Sequence, residues 1–342
     1  MELLNTLYVT TQRAYAHLDH DTVRVEVERQ TTLRIPLLHL EAIVCLGNVM
    51  VSTALIHRCG EDGRALVFLS ATGRFKARIV GPTGGNVLLR QAQHARLGAV
   101  DGALSIARNV VAGKVQNSRQ VLLRAARETD HVADRERLVG GIEGLLETLG
   151  RLPQAHTLDT VRGYEGDAAR LYFACFDAMV RANRDVFYLS VRSRRPPRDP
   201  LNPTLSFLYA LLVGDCVAAL EAVGLDPQVG YLHALRPGRP ALALDLMEEL
   251  RAAVADRLAL TLINRRQLTA RDFEAQPGGA VFLAEGGRRE VITAYQKRKQ
   301  EQIRHPVLDR AVPVGLIPHV QARLLARHLR GDLAQYPPFL AR

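Results

Sequence analysis

The segment GYLHALRPGRPALALDLMEELR, residues 230–251, places three carboxylates close behind a histidine. Asp245, Glu248 and Glu249 are spaced three and four apart, so a helix brings them onto one face within a turn of each other. Leu244, Met247, Leu250, Val254 and Leu258 gather on nearly the opposite face. Like charges at this spacing repel unless water screens them or a cation sits among them. A solvated acidic face and half of a metal site both meet that condition. His233 has the same ambiguity: it is either a satisfied structural histidine or a ligand, with the short ALRPGRP turn folding back over the helix start.

A fourth carboxylate changes the balance. In TVRGYEGDAARLYFACFDAMVRAN, helical periodicity puts Glu165 on one stripe with Ala168, Ala169, Tyr172, Phe176 and Met179. Burying an unpaired ionised carboxylate costs several kcal/mol. Glu165 is therefore protonated, paired with a base such as Arg162 one turn earlier, or bound to a cation. A buried Glu, a loop His and helical acids together form a set of several oxygens and one nitrogen. Such a set suits Mg²⁺, with the imidazole favouring Mn²⁺ or tolerance of both. Zinc takes more nitrogen or sulfur. Arg236 and Arg239 lie beside His233 as candidate phosphate contacts.

Other motifs are weaker. GPTGGN (81–86) lacks the GK[ST] of a phosphate-binding loop, and no GxSxG or Cys-His nucleophile pattern occurs. The arginine-rich segment 184–200 reads equally as a DNA-tracking segment or a solvated loop, as does the basic face of YQKRKQEQIRH (295–305). Cys45, Cys59, Cys175 and Cys216 have no CxxC spacing and read as reduced core thiols, consistent with a cytoplasmic location. A net charge of +10 over 342 residues favours a polyanionic partner. No signal-peptide pattern opens the chain, and no unbroken run of about 18 apolar residues suggests a membrane span.

The elements that must position these residues divide into two kinds. β-branched, alternating segments at 6–11, 15–19, 22–28, 65–70 and 76–82 predict strands, with a short helix over Ser52–Cys59. GPTGGN marks a boundary. Amphipathic helices follow over 87–147, 159–183, 201–223, 241–262 and 314–334. A hairpin around Gly286-Gly287 is expected to lead into the basic helix. The fold class is thus α+β: a small N-terminal β-sheet domain (1–82), a linker (83–86) and a larger all-α domain (87–342).

The order of a β domain, RGYEGDAARLYF, DPLNPTLSFLYALL and VGYLHALRPGRPALALDLMEELR resembles the CRISPR-associated protein 1 family. The similarity runs over essentially the whole chain to the terminal QYPPFL, and TLYVTTQRAYAHLDHDTVRVEVE resembles the type I-C branch. The resemblance implies Mg²⁺ or Mn²⁺ held by Glu165, His233 and Glu248, with Asp245 as an auxiliary or supporting ligand. Relatives often carry Asp where Glu248 stands. It also implies that Arg162, Arg236 and Arg239 contact phosphates. The implied reaction joins 3′-hydroxyl ends of short double-stranded DNA fragments to the repeat borders of a CRISPR array. The implied partners are a second copy of the chain, through the β domain, and CRISPR-associated protein 2. A metal-dependent nuclease on branched DNA or RNA, and a non-catalytic nucleic-acid scaffold with Glu165 paired to Arg162, are the alternatives.

Overall fold

The computed structural model describes residues 5–71, 73–81, 87–99, 101–189, 192–193 and 196–341. The expected linker at 83–86 lies outside them. The chain divides into two compact units, Met1–Gly84 and Gly85–Arg342.

The first unit runs β1 (Asn5–Val9), β2 (Tyr15–Asp19), β3 (Thr22–Val27), β4 (Gln30–Pro36), β5 (Leu40–Leu46), β6 (Met50–Val51), α1 (Thr53–Glu61), β7 (Ala65–Leu69) and β8 (Phe75–Ile79). One sheet has the order β1-β5-β7-β8, with β1, β5 and β7 parallel and β8 antiparallel. The other has the order β4-β3-β2-β6. Alternation works as expected in β3, where Val23 and Val25 are buried in the core with Ala16, Ile43, Cys45, Leu55 and Leu66. Ser52 caps α1 by accepting from the Leu55 amide. Three strands, β4, β5 and the two-residue β6, lie outside the expected segments. β4 is an almost wholly exposed edge. β5 is a central parallel strand buried along most of its length, so it shows no polar–apolar alternation.

The second unit is mostly helical: α2 (Val87–Gly98), α3 (Gly102–Glu128), α4 (Val132–Arg151), α5 (Leu158–Ala174), α6 (Leu201–Val223), α7 (Ala241–Leu250), α8 (Arg257–Asn264), α9 (Glu285–Gln300) and α10 (Ile317–Leu329). Two antiparallel ribbons interrupt them: β9 (Phe273–Ala275) with β10 (Val281–Leu283), and β11 (Gln302–His305) with β12 (Arg310–Pro313). The 27-residue α3 is the axis on which α4, α5 and α7 pack. α6 passes a length-and-composition test for a membrane span. It packs on α7 and α10, and its Asp215 pairs with Lys299 at 3.0 Å, as a core helix would.

The hairpin expected around Gly286-Gly287 is not there. Those glycines sit in the first turn of α9, and the reversal falls earlier, at Gly278 and Gly279, both with positive φ. A Cβ on Gly287 would lie 2.6 Å from the Asp272 carbonyl, so close packing rather than turning demands that glycine. The helix expected over 159–183 also stops early, at Ala174, although Phe176 and Met179 stay buried beyond its end.

Candidate functional site

Three elements of the helical unit converge on Glu248. α7 carries Asp245 and Glu248 on its first turns, α5 carries Glu165, and α3 carries Lys114. The loop ahead of α7 brings His233. Thr157 starts α5 by accepting from the Thr160 amide. Gly230 lets the histidine loop lie directly on α7, because a Cβ there would come within 2.6 Å of the Ala241 backbone and 2.8 Å of Asp245 Oδ2.

The acidic face expected on α7 is not solvated. Asp245, Glu248 and Glu249 are all buried, and Leu244 of the opposite stripe is the more accessible residue. Each carboxylate meets its burial cost differently. Asp245 Oδ2 accepts the Tyr231 and Leu232 amides at 2.6 and 3.0 Å. Its Oδ1 accepts the His233 amide at 2.9 Å and faces His233 Nδ1 at 2.7 Å. Both Asp245 oxygens are thus occupied by the histidine loop. The carboxylate folds the loop and fixes the imidazole, which leaves Nε2 directed at Glu248 Oε1, 3.8 Å away. A carboxylate behind a histidine is the usual support for a metal-binding imidazole.

Glu248 is the hub. The Arg251 guanidinium lies 2.9 Å from its Oε1 and the Lys114 ammonium 2.8 Å from its Oε2. Burial alone would raise this carboxyl's pKa, but Arg251, Lys114 and His233 outweigh it and hold the value at about 2. Glu248 is therefore a carboxylate at every physiological pH. Its Oε2 is buried yet lacks a well-directed hydrogen bond, since the ammonium contact is ionic rather than aligned. The same ammonium bridges to Glu165 Oε1. Arg162, the partner expected for Glu165, instead donates to the Leu232 carbonyl at 2.7 Å and to Asp159 at 2.8 Å. It pins the histidine loop to α5 through these bonds.

Lys114 could have been read from the sequence by the argument applied to Glu165. It is the one charged residue on the α3 stripe of Ala107, Val110, Val111, Ser118 and Val121, all buried. Arg251 was also missed. It opens a π-helical turn, Arg251–Asp256, between α7 and α8, and it stacks 4.7 Å over the Tyr209 ring. Tyr209 donates to Asp256 at 2.6 Å, and burial pushes the Asp256 pKa up to about 6 despite that bond and Arg251.

Glu249 faces away from this cluster. It accepts from Tyr336 Oη (2.5 Å), Gln321 Nε2 (2.9 Å) and the Phe339 amide (2.7 Å), binding the C-terminal segment to α7. Arg236 is exposed and Arg239 half-exposed on the loop beyond His233. The arginine-rich segment turns partly inward. Arg184 pairs with Asp134 at 2.6 Å, and Arg192 donates to Ser206 at 3.0 Å and lies 5.5 Å over Tyr209. Residues 190, 191, 194 and 195 of that segment lie outside the described ones.

Two carboxylates share one ammonium as their cation, and His233 Nε2 lies 3.8 Å from the other oxygen of Glu248. With that lysine in place, no three acidic, histidine or cysteine side chains among the described residues are drawn together as a ready-made metal cluster. The chemistry of the donors, two carboxylates and an imidazole nitrogen, nevertheless fits a hard divalent ion.

A small β unit and a helical unit with a partly buried acid–imidazole–lysine centre together define a two-part protein whose charged site lies on the helical part. The family model for CRISPR associated protein Cas1 matches residues 7–297, and the chain belongs to the Cas1 family. It is 57% identical over 340 residues to CRISPR-associated endonuclease Cas1 1 of Moorella thermoacetica, covering 99% of both chains. Its fold is similar to that of a solved Cas6-RT-Cas1–Cas2 complex (TM-score 0.82, 24% identity, 97% of this chain and 36% of that one). It is also similar to a casposase bound to its integration product (TM-score 0.83, 19% identity, 98% of this chain and 93% of that one).

Proposed function

We propose that the chain is the DNA nuclease and integrase of CRISPR adaptation, of a type I-C-like system. In this reading it joins 3′-hydroxyl ends of short DNA fragments to the repeat borders of an array by transesterification. The observation that carries the reading is the pair of carboxylates, Glu165 and Glu248, held on one lysine ammonium, with His233 Nε2 3.8 Å from Glu248 and Asp245 orienting the imidazole from behind. The endonuclease name of the Moorella relative and the integration product held by the casposase agree with it.

Glu165, Glu248 and His233 would hold Mg²⁺ or Mn²⁺, which would lower the hydroxyl's pKa and offset charge on the phosphoryl oxygens. The rest falls to the chain's own groups. Asp245 and Arg162 fix the loop that presents His233. Arg236 and Arg239, on the same loop, clamp flanking phosphates and help align the two DNA segments. With water in place of the 3′-hydroxyl, the same centre cuts DNA. The Cas2-containing complex supports Cas2 as a partner. Exposed Leu33, Leu38, Met50 and Phe75 on the β unit supply apolar surface for a homodimer.

The test is incubation of a labelled 3′-hydroxyl oligonucleotide with supercoiled plasmid and Mn²⁺. Label covalently joined to plasmid supports integration; cleavage without joining reduces the chain to a nuclease. Asp245→Asn is expected to lower Mn²⁺ affinity about 10–100-fold, as removal of a supporting carboxylate does. Isothermal titration checks this.

One observation favours a non-catalytic scaffold: Lys114 already bridges both carboxylates, with Arg251 as a second cation on Glu248. Lys114→Met separates the readings. An integrase site left with two facing carboxylates should gain a larger Mn²⁺-induced rise in Tm than the wild-type chain. A scaffold should show no Mn²⁺ effect in either protein.

A further inference from the structure

A second charged site lies on the helical unit among residues the catalytic centre does not use. A cavity of about 160 Å³ opens between the C-terminal part of α3, the turn at Ala178–Arg181 and α8. That is roughly ten times the space of ~10–15 Å³ that a single water needs. Four arginines, Arg124, Arg181, Arg257 and Arg265, line it against one carboxylate, Glu128. Glu128 is already shared by Arg124 at 2.7 Å and Arg181 at 3.3 Å.

Arg257 and Arg265 have no hydrogen-bond or ion-pair partner for their guanidinium groups among the described residues. Arg257 is also the more sheltered of the two. Burial lowers its pKa, and repulsion from Arg298 and Arg124 lowers it further, against the weaker pull of Glu128 and Glu301. The half-buried Arg257 guanidinium carries a desolvation cost and the repulsion of its neighbour Arg124 with no ion pair against it, and the exposed Arg265 stands at the same opening. An oxyanion entering the cavity would relieve both, and planar guanidinium groups match its oxygens with paired donors.

We propose that this cavity is a phosphate-binding site, with Arg257 and Arg265 as its free donors and Arg124 and Arg181 as its rim. The receptor chemistry stands on the cavity alone. Its assignment to a phosphate of the DNA backbone, rather than to free phosphate, rests on the function proposed above. A strand held there would be gripped at the far end of α3 from its N-terminal half, independently of the Glu248 centre.

The experiment compares the full-length chain with the double variant R257Q/R265Q and the charge-keeping variant R257K/R265K. Two readouts are used: the salt dependence of duplex retention in gel shifts, and the Tm shift produced by inorganic phosphate. For a DNA site, R257Q/R265Q should reduce the slope of log affinity against log salt by about 1–2, roughly one per contact removed. R257K/R265K should restore most of that slope. If phosphate raises the wild-type Tm but not that of R257Q/R265Q while DNA binding is unchanged, the site takes free phosphate and the phosphate proposal stands. If R257Q/R265Q folds with the wild-type Tm and alters neither readout, the proposal is overturned. Because both readouts measure binding, strand joining can fail or succeed without deciding this question.

Discussion

Replacing Glu165 by glutamine is expected to cut strand joining by about 10²–10³-fold or more, the scale of removing one preorganised charged group from a reacting centre. Retention of DNA in a gel shift should stay within about twofold of wild type. Glu165 is the most informative of the three residues because its side chain is partly open to solvent. Truncating it disturbs little else, since Lys114 keeps Glu248 as a partner. Glu248 is less clean. It is buried against Arg251 and Lys114, and its removal would leave two buried cations without their shared anion, at a cost of about 3–5 kcal/mol. His233→Ala should reproduce the Glu165→Gln result, because the loop itself is held by Asp245 through backbone amides rather than through the ring. Weakened DNA retention with unchanged joining per bound complex would count against the site.

The second large effect concerns stability. Glu249→Ala should lower the unfolding free energy of the helical unit by about 3–5 kcal/mol, read as a reduced urea midpoint. It strands two buried donors, Tyr336 Oη and the Phe339 amide, each worth about 1–3 kcal/mol when left unsatisfied, while Gln321 Nε2 keeps Tyr336 Oη and the Pro337 carbonyl as acceptors. Asn117 closes the same clasp. Its amide donates to the carbonyls of Glu249 (2.6 Å) and Phe339 (2.8 Å) and accepts from the Ala341 amide (2.8 Å). The C-terminal segment is therefore part of the core, and the clasp sets the rotation of α7 that turns Glu248 the other way.

The clasp also carries a pH signature. Burial raises the Glu249 pKa to about 8, against the pull of its three donors. A carboxyl whose folded pKa lies above its unfolded value binds more protons in the folded state. Its contribution is therefore complete below the unfolded pKa of about 4.5 and is lost as pH rises through 8. Asp256 acts in the same direction but only up to pH 6. Between pH 6.5 and 8 the wild-type chain should lose stability with a slope approaching about 1 kcal/mol per pH unit. Glu249→Gln should flatten that slope. An unchanged slope in the variant would place the titrating group elsewhere.

Much of this arrangement is legible in the residues alone. The passage from β-rich to helical sequence, the starts of α5 and α7, and the need of Glu165 for a compensating partner all follow from periodicity and the cost of burying charge, although the partner the structure supplies is Lys114. The failures are equally physical. β5 is buried along most of its length, so the alternation that reveals β3 is missing from it. Gly286-Gly287 resembles a turn because spacing does not distinguish a glycine needed for positive φ from one needed for close packing. The three acids of α7 share a helical face by spacing, yet Glu249 is claimed by residues 72 to 90 positions later, which no local pattern reveals. Lys114 was overlooked because α3 was read only as amphipathic, although a lone ammonium on a buried stripe poses the same question as Glu165 does.

The decisive measurement is the anomalous-scattering map of a crystal grown with Mn²⁺. A peak contacted by Glu165, Glu248 and His233 Nε2, with the Lys114 ammonium withdrawn and Asp245 still bonded to the loop amides, is the expected result. A map from a joining-competent protein that leaves Lys114 bridging both carboxylates, with manganese absent from the centre or bound elsewhere, would contradict it.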